Sequence, residues 1–150
     1  MSQIKIYALD ETIELHRDNL SKAIHQALVK ELKYPEEKRF QRFIPLESKN
    51  FIYPADRSTS YIIIEISMFD GRTKETKKAF IKTLFENINN LCGIDSNDVE
   101  ITIFETPKEN WGIRGKIADE LHLGYEANIK VIYIKKTLRL ISIPTFNTTR

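Results

Sequence analysis

Apolar and polar positions alternate with a period of two across residues 61–69. Ile62, Ile64, Ile66 and Met68 fall on one side, and Tyr61, Ile63, Glu65 and Ser67 on the other. That alternation predicts a strand. Asp70, Gly71, Arg72 and Thr73 follow as a turn. There Gly71 tolerates angles a side chain would forbid, and Thr73 is a good helix cap. The period then changes. Phe80, Ile81, Leu84, Phe85, Ile88 and Leu91 recur at three and four, which predicts an amphipathic helix over 74–91 that stops at Gly93. Val99, Ile101 and Ile103 alternate again with Glu100, Thr102 and Phe104. A strand over 99–105 completes a βαβ unit with parallel strands and a right-handed crossover. A loop with one tryptophan and two glycines, 110–115, comes next.

The first part of the chain has the same order. Ile4, Ile6 and Ala8 alternate with Lys5, Tyr7 and Leu9. Residues 10–17 read as a connector or helix entry, with Thr12 and Asp18 as alternative caps. Leu20, Ile24, Ala27, Leu28 and Leu32 mark a helix. Tyr34 and Pro35 end it, because a residue before proline avoids helical angles. Residues 39–44 read as a strand stopped by Pro45. A shift of 60 positions places Ser2 on Ile62, Leu20 on Phe80, Ile24 on Leu84, Leu28 on Ile88 and Phe43 on Ile103. Two copies of one supersecondary unit are therefore expected. The fold class is α+β, with two tandem βαβ repeats forming a four-stranded sheet and two helices on one face. The chain reads as one domain: repeat one over about 2–45, a connector over 46–60, repeat two over about 61–121, and strands plus an extension over 122–150. A short helix is expected over 117–121 and strands over 129–134 and 138–143. The sheet face away from the helices reads as apolar enough to need a cover, which a cyclic homotrimer would supply.

Composition narrows the function classes. Net charge is +2 with both signs interspersed, so no electrostatic argument favours nucleic acid. A single cysteine, Cys92, excludes an intrachain disulfide framework. It reads as a small apolar residue on the helix rather than a reactive thiol. The opening residues have a strand pattern and not that of a signal peptide. No apolar run approaches the roughly 18 residues of a membrane span, and the expected location is the cytoplasm. His16, His25 and His122 have no metal-ligand spacing, and no glycine-rich phosphate loop is present. Neither cofactor nor metal is expected.

The Asp70-Gly71-Arg72-Thr73 turn, the amphipathic helix, Val99-x-Ile-x-Ile-x-Glu105 and Trp111-Gly-Ile-x-Gly115 together resemble the tautomerase superfamily. Repeat two is similar to 4-oxalocrotonate tautomerase, whose short subunit is one βαβ unit. The whole chain resembles the longer subunits in which that unit is duplicated, and these normally form trimers. In such trimers terminal strands commonly pair with a neighbour, which is expected here of 129–134. The resemblance implies general acid and base chemistry at an amino-terminal proline exposed by methionine removal. It also implies arginines that bind a substrate carboxylate and an aromatic residue that keeps the pocket dry.

Carried over residue by residue, the resemblance puts Ser2 at the proline position, Arg72 at a substrate-binding arginine and Trp111 at the aromatic wall. Arg114, on the same loop, and Arg39 join the candidate substrate-binding set. Arg39 and Arg42 lie three apart on the expected strand, so they point to opposite faces. Departures are equally specific. Glu100 stands where the short enzyme has a strand arginine. Lys38 and Asp70 stand where malonate semialdehyde decarboxylase has its aspartate and the first of its paired arginines, which disfavours decarboxylation by that route. A primary α-amine on Ser2, with an ordinary pKa of roughly 7.7–8.0, is a workable base once it is a terminus. Two readings stand side by side. One is a divergent tautomerase that acts on or binds a small 2-oxo or enol carboxylate. The other is a non-catalytic binding or structural trimer.

Overall fold

A computed structural model describes residues 2–121. Strand β1 (Ser2–Leu9) leads directly into helix α1 (Asp10–Leu32), and β2 (Gln41–Leu46) runs parallel to β1. Strand β3 (Ile62–Phe69), helix α2 (Lys74–Cys92) and β4 (Val99–Thr106) repeat this arrangement. The sheet order is β2-β1-β3-β4. The two units meet through β1 and β3, which are antiparallel, with Ser2 opposite Met68 and Tyr7 opposite Ile63. An antiparallel centre between two parallel pairs is what a twofold relation between repeats requires.

The core lies between the sheet and both helices. Ile4, Ile6, Ile62, Ile64, Ile66 and Met68 point into it from the strands. The register of 60 holds in space, since Leu20 and Phe80, Ile24 and Leu84, and Leu28 and Ile88 are all buried in one cluster. Both helices end on a left-handed residue, Lys33 (φ 56°) and Gly93 (φ 68°), again 60 apart. Thr73 caps α2 by accepting from the Thr76 N–H.

Several boundaries differ from the sequence pattern. Helix α1 starts at Asp10, with Leu9 as a cap that makes no side-chain bond. Buried Ile13 holds its first turn against the core, so packing replaces the missing cap. Thr12, an expected cap, donates instead to the Thr59 carbonyl at 2.7 Å. Pro45 lies inside β2, opposite Ala8, rather than stopping it. Because β2 is an edge strand among the described residues, the missing N–H faces none of them. Arg39 therefore precedes the strand and does not alternate with Arg42.

The loop at 110–115 is a small hairpin of β5 (Gly112–Ile113) and β6 (Lys116–Ile117). Arg114 and Gly115 both have positive φ, at 52° and 79°, the twist a two-residue hairpin turn needs. The expected short helix is a single 3-10 turn, Ala118–Glu120. The outer sheet face mixes Tyr7, Ile63 and Phe104 with Lys5, Glu65, Arg42 and Thr102, so it is less apolar than expected. The strands expected over 129–134 and 138–143, and the extension over 135–150, lie outside the described residues. Among those described, no helix is long and apolar enough to cross a membrane.

Candidate functional site

One end of the sheet gathers several polar groups at the border of the core. It is formed by the start of β1 and the ends of β3 and β4, which the register brings together as Ser2, Met68 and Glu105. Tyr34, just past the end of α1, is buried at 4 % exposure beneath this end. The Ser2 backbone N–H donates to its phenol oxygen. The same hydroxyl donates weakly to the Ser2 carbonyl at 3.5 Å. Burial pushes the Tyr34 phenol up from its usual value, against the lowering effect of the Ser2 hydrogen bonds and the Arg72 charge. The phenol is thus neutral at ordinary pH.

Arg72 reaches this cluster from the β3–α2 turn. It is half-buried, and its Nη2 donates to the Leu32 carbonyl at 3.4 Å. Burial lowers its pKa, while Tyr34 and Glu105 act to raise it. Glu105 itself is held by Lys77 at 2.6 Å. Two polar atoms of the cluster are buried without a hydrogen-bond partner among the described residues, Arg72 Nη1 and Ser2 Oγ. A buried group without a partner costs about 1–3 kcal/mol, so each marks a place where a ligand or water gains by binding.

Trp111 stands at the same end of the sheet on the opposite face. Its indole N–H donates to Thr106 Oγ1 at 2.5 Å, and its ring meets Phe69 edge-on at 5.2 Å. Phe69 alternates away from Met68, so this small cluster with Ile113 and Ala118 lies across the sheet from Tyr34. Arg114 is exposed at the hairpin tip. Arg39 is exposed beside α1, where its Nη1 donates to Ser21 Oγ at 3.2 Å. It lines an open groove of about 920 Å³ with Asp18, Lys22, Lys30, Glu36 and Glu37. Buried His25 borders the same groove, and its Nε2 bonds the Glu36 carbonyl at 2.7 Å. The structure thus joins Ser2 and Arg72 through Tyr34, and sets Trp111, Arg114 and Arg39 apart from that contact.

Tyr34 was not legible as a site residue, because next to Pro35 it reads only as a helix stop. The repeat contains the signal that finds it. Shifted by 60, Ser2, Tyr34 and Arg72 fall on Ile62, Ile94 and Thr12. Ile62 and Ile94 are buried apolar residues, and Thr12 is taken up by Thr59. Only one of the two equivalent ends carries the polar trio. At the other end Phe51, the counterpart of Trp111, stacks on Tyr61 at 5.4 Å, and Asp98 pins Ser58. Arg57 bonds Glu100 there at 3.2 Å. The connector therefore fills the second end with its own side chains. Among the described residues no group of three or more His, Cys, Asp or Glu is placed to hold a metal.

A duplicated βαβ unit with this turn, this hairpin and one polar end defines a class, and comparison with known proteins agrees. The chain belongs to the tautomerase enzyme family, whose model matches residues 38–114, just over half its length. It is 28% identical to a probable tautomerase, YusQ, of Bacillus subtilis, over 74% of this chain and 91% of that protein. A stretch of 57 residues is 42% identical to a 2-hydroxymuconate tautomerase of Comamonas testosteroni, covering 38% of this chain and 90% of the enzyme. Among solved structures, a malonate semialdehyde decarboxylase inhibited by 3-bromopropiolate superposes with a TM-score of 0.66 at 26% identity, over 95% of this chain and 99% of that one. Native fused 4-OT shares the fold with a TM-score of 0.68 at 21% identity, over 79% and 98%.

Proposed function

We propose that the protein is a divergent tautomerase that acts on a small 2-oxo or enol carboxylate at the Ser2–Tyr34–Arg72 end of the sheet. The observation that carries this reading is Arg72, half-buried with Nη1 unpartnered among the described residues, beside Ser2, whose Oγ likewise has no partner among them. A guanidinium with an unfilled donor in a shielded place favours a carboxylate. In a chain beginning at Ser2, the α-amine would take the enol hydroxyl proton and return it to carbon, so that ketonisation needs no other reactant. Arg72 and burial both favour the neutral amine, the form a base requires. The named tautomerase relatives support the reaction class. Trp111 is the proposed aromatic wall by resemblance to the superfamily, and in this fold it would serve from across the sheet or from another subunit.

The same reading includes a homotrimer and a cytoplasmic setting. Fused 4-OT forms symmetric and asymmetric trimers, and this chain shares its fold. Tyr7, Ile63 and half-exposed Phe104 on the outer sheet face supply apolar area for such an interface. The free thiol Cys92 is compatible with a reducing compartment.

A second reading, a binding or structural trimer without catalysis, is favoured by the burial of Ser2, which is 2 % exposed. The deciding experiment follows ketonisation of 2-hydroxymuconate and phenylenolpyruvate by protein whose amino terminus is verified by mass as Ser2. Under the tautomerase reading it turns over, and Arg72→Ala lowers kcat/KM by about 100-fold or more, the loss of one charge-assisted contact. Keeping Met1 abolishes turnover. Absence of turnover with either terminus would move the protein to the second reading.

A further inference from the structure

We propose that Tyr34 is a positioning residue of this site: its phenol oxygen holds the nitrogen of residue 2 and, in a chain beginning at Ser2, anchors the α-amine. This rests on the reading of Ser2 as the proton carrier. The geometry is specific. The Ser2 N–H is a donor to Tyr34 Oη, and the Tyr34 hydroxyl also contacts the Ser2 carbonyl at 3.5 Å. A lone pair of the phenol, not its proton, therefore faces the nitrogen. An acceptor at that place stabilises the ammonium form.

Among the described residues, burial and Arg72 at this end oppose the ammonium, and Glu105 is already engaged. Burial of Ser2 disfavours charge. Arg72, from the β3–α2 turn, repels a cation, and its charge also acts on Tyr34. Glu105, from the end of β4, would attract one, but Lys77 from α2 holds it at 2.6 Å. Tyr34 thus offers a buried amine an acceptor that lets it carry a proton as well as release it. A base that cannot hold the proton it takes cannot return it to carbon. Burial at 4 % exposure and the close packing of this end give the phenol one position.

The test uses Ser2-initiated protein and Tyr34→Phe, which removes one oxygen and keeps the ring. The α-amine is titrated by NMR in protein labelled with ¹⁵N-serine, and kcat/KM is followed against pH. Tyr34→Phe is expected to lower the α-amine pKa by about one unit, the scale of one hydrogen bond to a charged group. The acid limb of the pH profile moves the same way. A merely structural tyrosine would lower thermal stability and leave both unmoved, and that result would overturn the inference. If Tyr34→Phe fails to fold, site-specific 3-fluorotyrosine at position 34 keeps the shape and weakens the acceptor. It should lower the amine pKa by a smaller amount, and no change would again overturn the inference. The titration needs no substrate. A shifted amine in a protein without turnover would sustain Tyr34 as the anchor and sink the tautomerase reading. Turnover with an amine indifferent to Tyr34 would do the reverse.

Discussion

At the scale of the residue, environment rather than type decides what each candidate can do. Cys92 ends α2 and Tyr34 lies just past α1, and burial raises the pKa of both, yet only Tyr34 meets a polar cluster. Cys92 lies against the core, and burial pushes its thiol up to about 11 from a usual 9.0. It should behave as packing, which agrees with its sequence reading. At pH 8 its alkylation should be about 100-fold slower than that of the denatured chain, since two pKa units separate their thiolate fractions. A thiol-labelling time course checks this, and equal rates would show an exposed, reactive cysteine. The sign of the linkage follows. The folded state holds this proton more tightly, so the contribution to stability is full below pH 9.0 and fades as pH rises through about 11. Arg72 and Ser2 were legible as candidates because a family pattern points to them. Their link through Tyr34 was not, because residues 32 apart have no reason in sequence to meet.

At the scale of the element, hydrophobic period located both helices and all four long strands, while ends depended on contacts. The two helix starts make the contrast. Thr73 caps α2 through the Thr76 N–H, so Thr73→Ala should cost about 1 kcal/mol in chemical denaturation. Helix α1 has no side-chain cap and relies on Ile13, so Ile13→Ala should cost about 2–5 kcal/mol, the range of buried aliphatic truncations. A reversed order of these two losses would show that packing does not hold the α1 start. Pro45 read as a stop because proline cannot donate to a ladder. It continues the strand because β2 has no outer neighbour among the described residues, a fact of topology and not of local propensity.

At the scale of the whole molecule, duplication builds two equivalent ends and then differentiates them. One holds Ser2, Tyr34 and Arg72. The other holds Ile62, Ile94 and Thr12, and is filled by Phe51, Tyr53 and Tyr61. If the outer sheet face closes a trimer, a charge there should open it. Ile63→Glu is expected to shift sedimentation velocity from trimer to monomer, because a carboxylate at an interface core loses its hydration. A monomeric parent protein would remove the trimer from the reading.

The sequence alone determined the βαβ order, the repeat at 60 positions, the helix-facing residues and the family. These rest on local periodicity and turn chemistry, which each segment carries within itself. Only the tertiary structure decided that β1 and β3 are the strands that meet at the sheet's centre, that the polar trio gathers at one end, and that Arg39 and Trp111 lie apart from it. Those outcomes depend on which distant segments pack together, and packing is a property of the folded chain as a whole.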